Sequence, residues 1–189
     1  MGDVTAPLTS SRPPEVAGSS SMRHVMVVGG TLHEWAELDD ESWNSRVDEL
    51  GAVGASAGVA WLTIRPCATG RDPARLHRWH RLVGCCCVIV DPSGDGRERF
   101  ADAMARLDSA DEVNEVSVAM ALYEPADSEP DLVVVLGPAT QLPPSLVWEL
   151  AYAELVFIPV DWRDLGARHL LSAMDDFAGR RRRFGGLDE

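Results

Sequence analysis

Short unbroken apolar runs recur along the chain, separated by stretches in which apolar residues return every three or four positions. The runs are HVMVV (24–28), VAWLTI (59–64), CCCVIV (85–90), VSVAMAL (116–122), DLVVVL (131–136) and VFIPV (156–160). Runs of this length read as strands buried on both faces. Residues 43–58 carry Trp43, Val47, Leu50 and Val53 at helical spacing, although Gly51 and Gly54 weaken that helix. Helices are also expected over 72–82, 97–107, 145–155 and 165–183, the last with Leu170, Met174 and Phe177 as its apolar stripe. Strands alternating with helices predict an α/β fold, a mainly parallel central sheet with helices on both faces.

Residues 1–22 are rich in Ser, Pro and Gly and poor in large apolar side chains, which reads as a disordered extension. The remainder, 23–189, is long enough for one domain with a substantial core. Net charge is −13 and the chain contains no lysine, so every fixed side-chain cation is an arginine. Long-range repulsion then opposes general binding to nucleic acid, and HRWHR (77–81) reads as the solvated face of a helix. Cys85-Cys86-Cys87 cannot all face one metal, and the run fits a buried strand that uses cysteine as a small hydrophobe. No apolar stretch reaches the ~18–20 residues of a transmembrane span, and residues 1–21 lack a signal-peptide centre. A reduced cytoplasmic setting is the expectation.

Candidate chemistry concentrates in DLVVVLGPATQLPPSLVWELAYAELVF (131–157). Strand, loop and helix start is a common frame for anion binding, because a helix N-terminus presents free N–H groups and a positive dipole end. Yet residues 137–145 contain no cation, and Pro138, Pro143 and Pro144 have no N–H to offer. The frame of a phosphate site is present without the groups that hold a phosphate. His33 has no positioned acid–base partner in the sequence and reads as a surface histidine.

Two segments carry a resemblance. WELAYAELVFIPVDW (148–162) with DDFAGRRRRFGG (175–186) closely resembles cis-prenyltransferases such as bacterial undecaprenyl diphosphate synthases. RHVMVVGG and EWA (23–30, 34–36) are similar to that family's first strand, phosphate loop and helix start. The resemblance spans residues 23–189, with 65–130 matching as a shortened middle region. It implies the cis-prenyltransferase fold and a dimer in which a terminal Arg-X-Gly motif reaches the neighbouring subunit's site.

The departures from the family pattern are specific. Active members have an aspartate, then Gly-Asn-Gly-Arg before Trp-Ala, to hold an allylic diphosphate and Mg²⁺. Aligned on Trp35-Ala36, the aspartate position is Gly30 and the arginine position is Glu34. The isopentenyl diphosphate arginines fall at Val135 and Gln141, and the serine at Pro143. Glu154 keeps a family glutamate, here without its aspartate partner. Losing several charge-assisted contacts, each worth about 1.5–3 kcal/mol, leaves little to hold a diphosphate.

Arg183-Phe184-Gly185 survives as the Arg-X-Gly motif. Read without the family, Arg180–Arg183 are cations at a helix C-terminus followed by a Gly185-Gly186 stop. With it, the resemblance implies a degenerate, non-catalytic subunit of the Nogo-B receptor type. That subunit would pair with a catalytic homologue, which would bring Mg²⁺ and both diphosphates, while this chain binds no cofactor itself. The complex would be cytoplasmic or peripheral at a membrane. Trp148, Tyr152 and Leu155 are candidate interface residues at helical spacing. Alternatives are an active small prenyl diphosphate synthase of altered specificity, or a non-catalytic homodimer that binds a prenyl lipid or acts as a scaffold.

Overall fold

A computed structural model describes residues 22–67, 76–107 and 112–180. The elements run β1 (His24–Val28), α1 (Leu32–Ala36), α2 (Asp40–Ser56), β2 (Trp61–Arg65), β3 (Trp79–Val83), β4 (Cys86–Val90), α3 (Gly96–Arg106), α4 (Glu115–Tyr123), β5 (Leu132–Leu136), β6 (Glu154–Ile158) and α5 (Ala167–Gly179). Single 3₁₀ turns occupy Glu149–Ala151 and Trp162–Asp164. One six-stranded sheet has the order β3-β4-β2-β1-β5-β6. All neighbours are parallel except β3, which pairs antiparallel with β4 at the edge. The chain reverses direction across the sheet at β1, where ligands of open α/β sheets bind beyond the carboxyl ends.

Every residue of β1, β2, β4 and β5 is buried, as their unbroken apolar runs require. One face of the sheet packs Val25, Val27, Leu62, Ile64, Val88 and Val134 against α2 and α5. The other packs Met26, Val28, Cys87, Ile89, Val133 and Val135 beneath α3 and α4. Leu170, Met174 and Phe177 form the buried stripe of α5. Met22, beside the expected boundary, is also buried in this core; residues 1–21 lie outside the described residues.

Three expectations are corrected. VSVAMAL forms helix α4, not a strand. Its apolar residues at 116, 118, 120 and 122 suit either period, and the N-terminus decides. Asn114 accepts from Ser117 N at 3.1 Å and Ser117 Oγ accepts from Asn114 N at 3.0 Å, a capping box that starts a helix. Val118 and Leu122 then point inward, leaving Val116 and Met120 outside.

The expected helix at 72–82 is replaced, over its described part, by β3. Val83 pairs with Cys86 across a two-residue turn whose Gly84 has φ +59°, the geometry a tight hairpin demands. HRWHR therefore leads into an edge strand, where Arg81 binds Asn44 Oδ1 at 2.8 Å and Asp48 at 2.6 Å.

The helix expected over 145–155 is reduced to one 3₁₀ turn. Pairing with β5 takes its last residues: Glu154 N donates to Asp131 O at 3.0 Å and β6 begins there, two residues earlier than expected. A sheet edge with unpaired N–H and C=O groups outweighs the helical preference of a short segment.

Candidate functional site

The carboxyl end of β1 leads to Gly29 and Gly30, the position that the resemblance gives to a metal-binding aspartate. Gly30 has φ +72°, and a Cβ built there would stand 2.6 Å from Trp162 Cγ and 2.9 Å from Trp35 Nε1. Two features thus exclude a side chain: a left-handed backbone and a wall of tryptophan. Trp35 Nε1 donates to Gly29 O at 3.0 Å, and its ring stacks on Trp162 with centroids 5.4 Å apart. Trp43 meets Trp35 edge-on at 5.1 Å, and the Arg46 guanidinium covers the Trp162 ring at 4.3 Å. Space that would serve an aspartate and its metal is packed with indole. The residues here do not fit Mg²⁺, which needs hard oxygen ligands.

Glu34 sits at the third position of α1, where its carboxylate accepts from Thr31 N at 2.8 Å and Thr31 Oγ1 at 3.0 Å. Glu34 N in turn donates to Thr31 Oγ1 at 3.2 Å. The N-cap N–H of Thr31 is thus taken by the chain's own carboxylate and the Glu34 N–H by the Thr31 hydroxyl, and the carboxylate puts negative charge at the helix start. The His33 side chain is 86% exposed and lies 3.5 Å from the Glu37 carboxylate.

At the neighbouring strand end, Val135 is buried in the core beneath α3 and α4. Leu136 closes over Gly29, whose Cβ would lie 2.4 Å from Leu136 Cδ1. Gln141 is exposed and Pro143 buried. Pro144 O accepts from Gly96 N at 3.1 Å, so the loop is pinned to the start of α3.

A buried ion network beside this loop escaped the sequence reading. Arg65 at the end of β2 donates to Glu149 Oε1 at 2.9 Å and to Asp91 Oδ2 at 3.1 Å. Arg99 in the first turn of α3 reaches the same Glu149 oxygen at 3.1 Å and Ser145 O at 2.9 Å. Burial alone would raise the Asp91 carboxyl; Arg65 and Arg78 overturn it and hold the group down at about 2. Burial also acts upward on Glu149, and Arg65 with Arg99 bring it below the usual range. Loss of solvent and the nearby Arg65 lower Arg99 to about 10. Two arginines and two carboxylates neutralise one another here. The signal was a charged residue closing each of two buried strands, Arg65 and Asp91, but nothing in the sequence pairs them.

The other sequence-derived residues are not gathered at this edge. Glu154 opens β6 in register with Leu132, which in turn pairs with Val25, at the opposite end of the sheet from Gly30. Five residues of strand separate the two levels, about 16 Å. It lies on a strand, not the expected helix. Trp148, Tyr152 and Leu155 do not share one helical face either. The Trp148 ring stacks on Phe100 at 5.8 Å and its Nε1 donates to Glu129 Oε1 at 2.7 Å. Tyr152 is exposed, and Leu155 packs half-buried against the chain's own core. Arg180 Nη1 donates to Leu155 O at 3.0 Å. Arg183, Phe184 and Gly185 lie outside the described residues. Among the described residues, no group of three or more His, Cys, Asp or Glu side chains is set to hold a metal, and no helix is long and apolar enough to cross a membrane.

Comparison with known proteins agrees with this sheet. Residues 89–185, just over half of the chain, match the family model described as "Putative undecaprenyl diphosphate synthase", and the chain belongs to that cis-prenyltransferase family. It is 35% identical over 157 residues to the trans,polycis-polyprenyl diphosphate synthase ((2Z,6E)-farnesyl diphosphate specific) of Thermobifida fusca, covering 76% of this chain and 54% of the relative. Over 102 residues it is 41% identical to isoprenyl transferase 1 of Streptomyces coelicolor, covering 48% of this chain and 36% of that protein. The chain thus spans about half, or less, of the length of these curated relatives. The crystal structure of a probable undecaprenyl diphosphate synthase from Campylobacter jejuni superposes with a TM-score of 0.61 at 18% identity, over 87% of this chain and 99% of that one. The fold is shared.

Proposed function

We propose that this chain is a non-catalytic subunit of a heterodimeric cis-prenyltransferase. The observation that carries the reading is Gly30: the aspartate position has a left-handed backbone and tryptophan where a side chain would go. The Glu34 carboxylate on α1 and the burial of Val135 and Pro143 support it. The reaction then belongs to a homologue with the aspartate loop and both arginines intact. That reaction is sequential cis condensation of isopentenyl diphosphate onto an allylic diphosphate with Mg²⁺. This chain stabilises the homologue and supplies Arg183-Phe184-Gly185, whose guanidinium and backbone N–H groups bind diphosphate oxygens in the partner's site.

A second reading, an active prenyl diphosphate synthase of altered specificity, draws on the relatives' names, which describe synthases and transferases. One assay separates the two. Incorporation of radiolabelled isopentenyl diphosphate is measured for this chain alone, for the full-motif homologue alone, and for the two co-expressed. The subunit reading expects none from the first and the most from the third. Turnover by this chain alone would establish the second reading; equal activity of the homologue with and without it would remove the activator role.

A further inference from the structure

Exposed apolar side chains lie on α4 and on the 147–152 segment, which meet where the Tyr152 hydroxyl donates to the Glu115 carboxylate. Val116 is 71% exposed, Tyr152 58%, Val147 55% and Met120 46%. The rings of Phe100, Trp148 and Tyr152 follow one another at 5.8 and 6.5 Å. Scattered exposed hydrophobes are ordinary, but contiguous ones mark interaction surfaces. Next to them, a groove of about 260 Å³ combines Val116, Ala119 and Met120 with the carboxylates of Glu115, Asp127 and Glu129.

Of the three carboxylates of this groove, Asp127 is paired with Arg23, and Glu115 and Glu129 flank the apolar rings. The Glu115 carboxylate is hydrogen-bonded to the Tyr152 hydroxyl, and Glu129 holds the Trp148 indole at 2.7 Å. Both are thereby held beside the apolar centre. Neighbouring arginines among the described residues are already engaged. Arg97 pairs with Asp95 at 3.3 Å, Arg23 with Asp127 at 2.8 Å, and Arg106 donates to Ala121 O.

We propose that this face binds a protein subunit whose matching surface has an apolar centre and arginine or lysine side chains placed to meet Glu115 and Glu129, and that it rejects a second copy of this chain. In a two-fold pair the same patch faces itself, so rim carboxylates would oppose rim carboxylates between two chains of net charge −13. Like charges set together at an interface suppress the wrong partner, while opposite charges steer and admit the right one. The inference rests on the heterodimer reading for the partner's being a homologue. It adds what that reading lacks, a physical reason for choosing a different subunit over itself.

A charge-reversed copy of this chain is the probe, because it presents the same apolar centre with a cationic rim. Wild type, the Glu115→Lys/Glu129→Lys variant and their equimolar mixture are compared by sedimentation velocity. Circular dichroism checks that the variant is folded. A Glu115→Lys variant, which leaves the Trp148 bond to Glu129 intact, serves as the second probe. Wild type alone is expected to be monomeric and the mixture to form a mixed dimer. Its dissociation constant should rise about tenfold or more between low and high salt. Val116→Asp in either chain should abolish the dimer. A wild-type dimer that Val116→Asp dissolves would overturn the proposal, as would the absence of a mixed dimer with either folded probe. None of these measurements involves prenyl transfer, so failure here is separable from failure of the subunit reading, which the isopentenyl diphosphate assay decides.

Discussion

Arg65 and Glu149 meet at 2.9 Å with neither side chain exposed to solvent. The pair ties the end of β2 to the 3₁₀ turn that follows the proline loop, 84 residues later in sequence. Removing one partner of a buried ion pair leaves an uncompensated charge, at a cost of about 3–5 kcal/mol. Glu149→Ala should therefore lower stability by that order in urea unfolding. Glu149→Leu combined with Arg65→Met should recover part of the loss, since two apolar groups need no mutual charge. A double variant as unstable as the single would mean that Arg99 and Asp91 depend on the pair for more than charge balance.

Acid should act in two windows. His24 is buried between Ser128 O at 2.7 Å and Thr63 Oγ1 at 2.9 Å, and burial lowers it from 6.5 to about 4. Between those values the unfolded chain binds a proton that the folded chain refuses, so stability falls as pH drops from about 6.5 to about 4. Asp91, held at about 2 against an ordinary 3.8, then contributes on the order of 2 kcal/mol that is lost as pH falls from about 4 to about 2. His24→Gln should flatten the first window and leave the second. Urea unfolding across pH checks both slopes.

Gly30→Ala should destabilise the fold by about 2 kcal/mol or more, because it combines a left-handed backbone with a collision against Trp162. Gly30→Asp with Glu34→Arg, which rewrites the family's residues at these positions, should be less stable still and remain inactive alone. Thermal unfolding and the isopentenyl diphosphate assay test this together. Turnover by the double variant would show that the tryptophans yield.

Glu34 should tolerate loss of charge but not loss of its oxygens. Glu34→Gln keeps an acceptor for Thr31 N and should stay within about 0.5 kcal/mol of wild type, while Glu34→Ala should lose about 1 kcal/mol. Equal losses in thermal unfolding would argue against the capping role.

Arg183→Ala should leave assembly with a catalytic homologue intact and lower the pair's activity about tenfold or more, the worth of one charge-assisted contact to a diphosphate. Unchanged activity would remove the trans-acting role of Arg183.

The sequence determined what depends on neighbours along the chain. Unbroken apolar runs announced β1, β2, β4 and β5, because a strand buried on both faces needs no alternation. Leu170, Met174 and Phe177 announced α5 through their 3.6-residue spacing. That Gly30, Glu34, Val135 and Pro143 bring no cationic side chain was legible as residue type; that Gly30 faces Trp162 and that Glu34 caps α1 was not. Tertiary structure decided whatever depends on distant partners. Sheet pairing turned ELVFI into β6 and left the expected helix as one turn, and a hairpin claimed Trp79–Val83. The Arg65, Asp91, Arg99 and Glu149 network exists only because parallel order sets the ends of β2 and β4 side by side beneath the loop. No local pattern encodes that meeting, because the energy of a buried charge is set by what surrounds it in space.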